Sequence, residues 1–158
     1  MEKTKKLILE GPDCSGKTTI ANILRKRYPN LEIVDRFFIS DRVYAQKFNR
    51  DTYLGVPIVT YLEYWEQWHK NNMDVRIILC TAKNSTLAKR AIEKGESFCR
   101  NRTFEEVENY LATDNYAFIS ASNYVCERLD IPLLTVNTDN DIKFTLEKIE
   151  GFLHDDWL

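Results

Sequence analysis

The sequence predicts an α/β fold, a mostly parallel sheet flanked by helices in three layers, and three observations predict it. Short apolar runs alternate with stretches of helical periodicity along the chain. The first apolar run, Leu7-Ile8-Leu9, leads into a turn bounded by Gly11 and Gly16, and Lys17-Thr18-Thr19 then opens a helical pattern. The second run ends in Asp35-Arg36. Alternation of this kind implies parallel strands joined by right-handed crossovers, with any site at the carboxyl ends of the strands.

In chain order, residues 6–10 read as a buried strand and 17–28 as a helix with Ile20, Ile23 and Leu24 on one face, stopped by Pro29-Asn30. Residues 31–35 are a second strand ending in a carboxylate. A helix is expected from Ser40 to about Phe48, then a loop through Gly55 and Pro57. Residues 58–71 follow as a helix carrying Tyr61, Tyr64, Trp65 and Trp68 at helical spacing, an aromatic stripe read as packing against the sheet. Residues 75–80 form the third strand, 85–94 a helix and 95–103 an irregular basic segment. A long helix over 104–129, a fourth strand over 133–136 and a last helix over 142–153 complete a single domain spanning 1–158. No internal repeat or low-complexity tract interrupts it.

The turn carries the chemistry. Gly11 to Gly16-Lys17-Thr18 satisfies G-x-x-x-x-G-K-[ST], the Walker A or phosphate-binding loop, with the strand before and helix after that this loop requires. Of five glycines in the chain, two stand at its required positions, where backbone must approach phosphate closely. Backbone N–H groups from Asp13 through Cys14, Ser15, Gly16 and Lys17 to Thr18 are expected to converge on phosphates at the positive end of the helix. Lys17 is expected to bridge the β and γ phosphates of ATP, and Thr18 to offer its hydroxyl to Mg²⁺. A strand ending in Asp35 beside this loop has the Walker B arrangement, placing a carboxylate near the metal and the γ phosphate. Arg36 then suits a cation that holds the acceptor, bidentate if the acceptor carries phosphate. Lys94, Arg100 and Arg102 flank Gly95 in the segment without apolar periodicity, as in a mobile lid over about 94–103 carrying transition-state cations.

Composition bounds the rest. A net charge of −2 builds in no global attraction to nucleic acid or anionic membrane. Cys14, Cys80, Cys99 and Cys126 form no C-x-x-C pair, and His69 and His154 stand apart from them, a pattern of reduced thiols and not of a zinc site. The apolar stretch after Met1-Glu2-Lys3-Thr4-Lys5-Lys6 is too short for a signal segment or a membrane span, so the expectation is a soluble cytoplasmic protein with no membrane partner.

Three segments together resemble the thymidylate kinases. Residues Glu10-Gly11-Pro12-Asp13-Cys14-Ser15-Gly16-Lys17-Thr18-Thr19 are similar to their E-G-x-D-G-x-G-K-[ST]-T loop, with Cys14 in place of a glycine. Asp35-Arg36-Phe37-Phe38-Ile39-Ser40 resembles D-R-[YF]-x-x-S, and 77–96 resembles the strand, helix and basic lid of that family. The related deoxynucleoside kinases compete: Ser40-Asp41-Arg42 after Arg36 resembles their R-S-x-x-S-D-R-Y segment, and Trp65-Glu66-Gln67-Trp68 a tryptophan-bearing helix they carry. Asp13 and Asp35 favour the thymidylate side. The resemblance implies that Arg90 stacks on adenine and that the loop of Asn137, Thr138 and Asp139 lies beside it, and it assigns the loop from Gly11 to Thr19 to the nucleotide. It also exposes two departures. The chain passes directly from Tyr28 to Asp35, without the strand and helix both families insert there, and Gln46 stands one position away from the family's A-Y-Q.

The expected activity is therefore ATP- and Mg²⁺-dependent phosphoryl transfer from a site built on Lys17, Asp35, Arg36, Arg100 and Arg102, with Thr18 and Asp35 toward the metal. The acceptor stays open between a deoxynucleoside monophosphate, a deoxynucleoside and a hydroxyl on a modified base in DNA such as 5-hydroxymethyluracil. That last reading invokes a groove of Arg36, Arg42, Lys47 and Arg50. A homodimer stays open as well. A regulatory GTPase would need an N-K-x-D segment after a strand, and the sequence has none. A non-catalytic nucleotide-binding module would leave Asp35-Arg36 and the basic lid without a purpose.

Overall fold

The computed structural model describes residues 3–49, 52–53, 56–57, 66–67, 71, 73–154 and 157. Four parallel strands, β1 (Thr4–Glu10), β2 (Glu32–Asp35), β5 (Met73–Thr81) and β6 (Leu133–Asn137), lie in the order β2-β1-β5-β6. Two short strands, β3 (Thr52–Tyr53) and β4 (Val56–Pro57), pair antiparallel in the stretch expected to be a loop. The helices are α1 (Lys17–Arg27), α2 (Phe38–Lys47), α3 (Asn84–Lys94), α4 (Phe104–Leu129) and α5 (Ile142–Leu153). The helix expected over 58–71, with its aromatic stripe, lies almost wholly outside the described residues.

Side-chain alternation on the central strands assigns the layers. Leu7 and Leu9 of β1 point to one face, where they join Ile20, Leu24, Ile149 and Leu153 of α1 and α5. Ile8 points to the other, with Ile39 and Val43 of α2 and Phe118 and Val125 of α4. All three strand residues are fully buried, as a sheet covered on both faces requires. A third apolar group, Leu87, Ala88 and Ala91 of α3 with Val107 and Leu111 of α4, fastens the segment after β5 to the long helix. The result is the three-layer α/β architecture.

Helices with local caps begin where the sequence places them. Thr103 and Glu106 form a capping box, each side chain accepting from the other's backbone N–H at 3.2 Å, and α4 starts at Phe104. Asp141 accepts from the N–H of Lys143 at 2.7 Å and starts α5. The exception is α2, which begins at Phe38 and not at Ser40. Its cap comes from across the sheet. The carboxylate of Glu10, fully buried at the end of β1, accepts from the N–H groups of Phe37 (3.1 Å), Ile39 (2.7 Å) and Ser40 (3.0 Å) and from Ser40 Oγ (2.5 Å). Burial pushes this carboxyl's pKa up, against the downward pull of the four hydrogen bonds. The third strand also runs longer than 75–80, because its pairing with β1 starts at Thr4 opposite Met73.

Glu10→Gln keeps the side-chain volume but turns one acceptor oxygen into an N–H₂ group facing N–H donors. It should cost about 3 kcal/mol, from lost charged hydrogen bonds and a buried unsatisfied donor. Urea denaturation of the two proteins measures it, and an unchanged midpoint would refute the capping role.

Candidate active site

The loop between β1 and α1 is shaped by the strand next to it. Gly11 has φ +151°, and a Cβ there would lie 2.4 Å from the carbonyl oxygen of Cys80 on β5, so only glycine fits. Gly16 adopts φ +82° immediately before α1. Cys14, where the resembling loop has glycine, also has a positive φ of 66°. A side chain there costs about 1–2 kcal/mol of backbone strain. Residues Cys14, Ser15, Gly16, Lys17, Thr18 and Thr19 line a small hollow of about 60 Å³ whose other wall is Lys94. A larger cavity of about 540 Å³ opens at the opposite end of the sheet, among Lys3, Tyr28, Asn30 and Trp157, far from this chemistry.

One contact from the β6–α5 connection and one from α3 hold the loop's backbone. Thr138 Oγ1 donates to the carbonyl of Ser15 at 2.7 Å, and its own N–H donates to the carbonyl of Thr81 at 2.8 Å. Arg90 of α3 donates to the carbonyl of Cys14 at 3.0 Å, to Thr138 Oγ1 at 2.9 Å and to the carbonyl of Thr138 at 3.0 Å. A trans peptide carries its C=O and N–H on opposite sides. Pulling the Ser15 carbonyl toward Thr138 therefore turns the Gly16 N–H the other way. Arg90 and Thr138 act on the phosphate loop itself. Asn137 serves the same connection, its Oδ1 accepting from the N–H of Asp139 at 2.8 Å. Asp139 in turn ties the connection to α3, accepting from the N–H of Lys83 and the hydroxyl of Thr86.

At the carboxyl ends of β1 and β2, Lys17, Thr18 and Asp35 meet. Lys17 is only 7% exposed, and its Nζ lies 3.0 Å from Asp35 Oδ1, while Thr18 Oγ1 donates to Asp35 Oδ2 at 2.7 Å. The Lys17 contact is an ion pair more than a directional bond, since buried Oδ1 has no hydrogen-bond donor. Burial acts to raise the Asp35 pKa, but the Thr18 hydrogen bond, the close Lys17 ammonium and the Arg36 charge outweigh it and hold it below the usual carboxylate value. An ionised carboxylate with an open lone pair, beside a hydroxyl, is a hard-oxygen donor set. Such a set fits Mg²⁺ bound through one or two protein oxygens, with water and phosphate completing its shell.

Arg36 is held from every side. Its φ is +69°, and its N–H continues the strand pattern by donating to the carbonyl of Leu9 at 2.9 Å. The guanidinium donates to Asp13 Oδ1 at 2.7 Å and to Ser40 Oγ at 3.1 Å, and sits 5.2 Å from the Tyr44 ring and 5.8 Å from that of Phe118. The sequence reading assigns Tyr44 no role in the site. Burial pushes its hydroxyl up to about 12.

The lid residues are placed less uniformly. After Gly95, a 3₁₀ turn (Ser97–Cys99) leads to exposed Arg100 and Arg102. Arg102 lies over the ring of Tyr110 at 4.5 Å, and Phe98 stacks on the same ring at 4.9 Å. Tyr110 also accepts from Lys47 Nζ at 2.9 Å, which bonds buried Asp114 at the same distance. Lys47 is thus turned inward, and Arg42 rests over Tyr124 at 5.3 Å. Arg50, the remaining member of the expected groove, lies outside the described residues.

The YorR protein from Bacillus subtilis, in complex with phosphorylated GDP, matches with a TM-score of 0.63 at 21% identity over 94% of each chain. Deoxyadenosine kinase from M. mycoides with bound dCTP matches with a TM-score of 0.63 at 17% identity over 94% of this chain and 98% of that one. The same enzyme with bound dATP matches at 0.63 and 16% identity, over 95% and 100%. The chain shares the fold of deoxyadenosine kinase. No protein-family model and no curated protein matches it. Among the described residues no helix is long and apolar enough to cross a membrane.

Thr138→Val removes the hydroxyl that holds the Ser15 carbonyl while keeping the side chain's shape. Binding of nucleotide should weaken about fivefold to tenfold, the equivalent of one hydrogen bond, with little change in the unfolding midpoint. Calorimetric titration of variant and parent checks this, with Thr138→Ser expected to retain the parent affinity.

Proposed function

We propose that this chain is an ATP- and Mg²⁺-dependent kinase that phosphorylates a nucleoside or nucleotide. The observation that carries the reading is the meeting of Lys17, Thr18 and Asp35 at the strand ends, beside a loop whose backbone is turned outward by Thr138 and Arg90. Phosphoryl transfer asks little covalent chemistry of a protein and much alignment and positive charge. Lys17, freed from Asp35 by an incoming nucleotide, neutralises charge on the transferring phosphoryl group. Asp35 orients the acceptor oxygen and takes its proton when that oxygen is a hydroxyl. The oxygen attacks the γ phosphorus in line as the bond to ADP breaks. Mg²⁺, when bound, supplies charge neutralisation on the phosphate oxygens.

For the acceptor, the Asp13–Arg36 pair supports a thymidylate-type monophosphate. A guanidinium already fixed by Asp13, Ser40 and two rings needs little further ordering to bind phosphate. A second reading, a deoxynucleoside acceptor, draws on the likeness to deoxyadenosine kinase.

Lys17→Ala should lower kcat about 10²- to 10³-fold in a protein that still folds. Asp35→Asn should lower kcat by a similar factor while changing nucleotide affinity far less. Equal losses in both quantities would make Asp35 chiefly a metal ligand. Labelled ATP incubated with thymidine, thymidylate, the other deoxynucleosides and deoxynucleotides, and DNA containing 5-hydroxymethyluracil separates the acceptors. Under the monophosphate reading Arg36→Ala raises KM for monophosphates selectively; transfer to unphosphorylated deoxynucleosides alone would overturn it.

A further inference from the structure

All four cysteines are free thiols, but they fall into two classes: Cys80 and Cys126 are buried, while Cys14 and Cys99 are partly exposed. Cys14 lines the small hollow, and Cys99 lies on the turn that follows Lys94, the hollow's other wall. Cys14 is at the strained bend of the loop, and Cys99 ends the 3₁₀ turn of the lid. Both rest on the same apolar group, Ala82, Leu87, Ala88, Ala91, Val107 and Leu111. Hydrogen bonds bring them to one end of α3. Arg90 holds the Cys14 carbonyl, Glu96 N–H donates to Ala91 one residue further along that helix (3.1 Å), and Cys99 N–H donates to Glu96 (3.0 Å). Burial raises both thiols; at Cys14 the Lys94 charge pulls down while those of Glu96 and Asp13 push up, and at Cys99 Glu96 pushes up while Arg102 pulls down.

We infer that Cys14 and Cys99 form a redox site, closing to an intrachain disulfide when a hydroperoxide is supplied and so tying the lid to the phosphate loop. With hydrogen peroxide as the oxidant, one sulfur attacks a peroxide oxygen, giving a sulfenic acid and water, and the second sulfur displaces a further water to form the S–S bond. Two electrons pass from the sulfurs to the peroxide, and both thiol protons leave in water. A disulfide brings its Cα atoms within about 7 Å. That holds the Ser97–Cys99 turn against the hollow lined by Cys14, Gly16 and Lys17 and fixes Arg100 and Arg102 at its rim. On the kinase reading above, on which this consequence rests, the crosslinked protein is shut to nucleotide until a reducing thiol reopens it.

The test uses the full chain, oxidised with one equivalent of hydrogen peroxide, alkylated, digested without reductant and read by mass spectrometry. The expected product is a peptide pair joining Cys14 to Cys99, lighter by two hydrogens than its parts, with Cys80 and Cys126 alkylated only after denaturation. In the same samples ATP binding should fall about tenfold or more and return with dithiothreitol. Cys99→Ser should yield no linked pair and retain its ATP binding through peroxide treatment. Oxidation of Cys14 and Cys99 to separate sulfinic acids, or only intermolecular disulfides, would overturn the proposal, as would a Cys99→Ser protein that still loses binding. A linked pair in a protein that fails to bind ATP even when reduced would instead overturn the kinase reading and leave the disulfide standing.

Discussion

A buried carboxylate organises this molecule. Glu10 ends the central strand and places its charge against the first turn of α2, where three backbone N–H groups and the Ser40 hydroxyl receive it. An ionised group taken out of water is costly unless its lone pairs are filled, and the unpaired N–H groups of a helix start are equally costly unless they find acceptors. Each need answers the other. The consequence is positional: α2 can begin only where Glu10 meets it, and the short connection between β2 and α2 must fit that span. Arg36 lies in the connection, which accounts for its left-handed backbone. The strain there is held by the ladder bond to Leu9, the Glu10 cap and the side-chain contacts to Asp13 and Ser40.

The other half of the site depends on backbone held from behind. Carbonyls of Cys14 and Ser15 are occupied by Arg90 and Thr138, residues far apart in the chain that meet because β5 and β6 are neighbours in the sheet. Gly11 is confined by the same neighbour, the carbonyl of Cys80. The phosphate loop is thus shaped by strand order as well as by its own glycines. Its polar side chains pair with one another, Lys17 and Thr18 with Asp35 and Arg36 with Asp13. A polyanion and its metal would have to exchange these internal pairs for pairs with phosphate.

The segment from Lys94 to Thr103 carries its cations differently. Arg102 is placed on Tyr110 with Phe98 stacked on the same ring, while Lys94 lines the hollow. Cation–π contact at an exposed site is worth only about 0.5–1 kcal/mol, small enough for a stronger partner to displace. Lys47, drawn inward by Asp114, shows the opposite case of a basic residue whose charge serves packing between α2 and α4. Basic residues therefore differ in what they can reach.

By itself the sequence determined the α/β class, the order of the four sheet strands along the chain, and the loop with its strand before and helix after. It also placed the starts of α4 and α5, because those signals are local: apolar period, glycine spacing, and Thr103–Glu106 and Asp141 as caps within one turn. The Lys17–Thr18–Asp35 meeting was legible too, since the loop and the end of the adjacent parallel strand must share one edge of the sheet. What tertiary structure alone decided came from contacts between distant residues. The start of α2 at Phe38, the use of Arg90 and Thr138 on loop carbonyls, the seating of Arg36 among Asp13, Tyr44 and Phe118, and the inward turn of Lys47 each depend on a partner at least 23 positions away. Periodicity and spacing describe a residue by its neighbours in the chain, whereas a buried polar group or a held carbonyl is defined by what the fold brings to it.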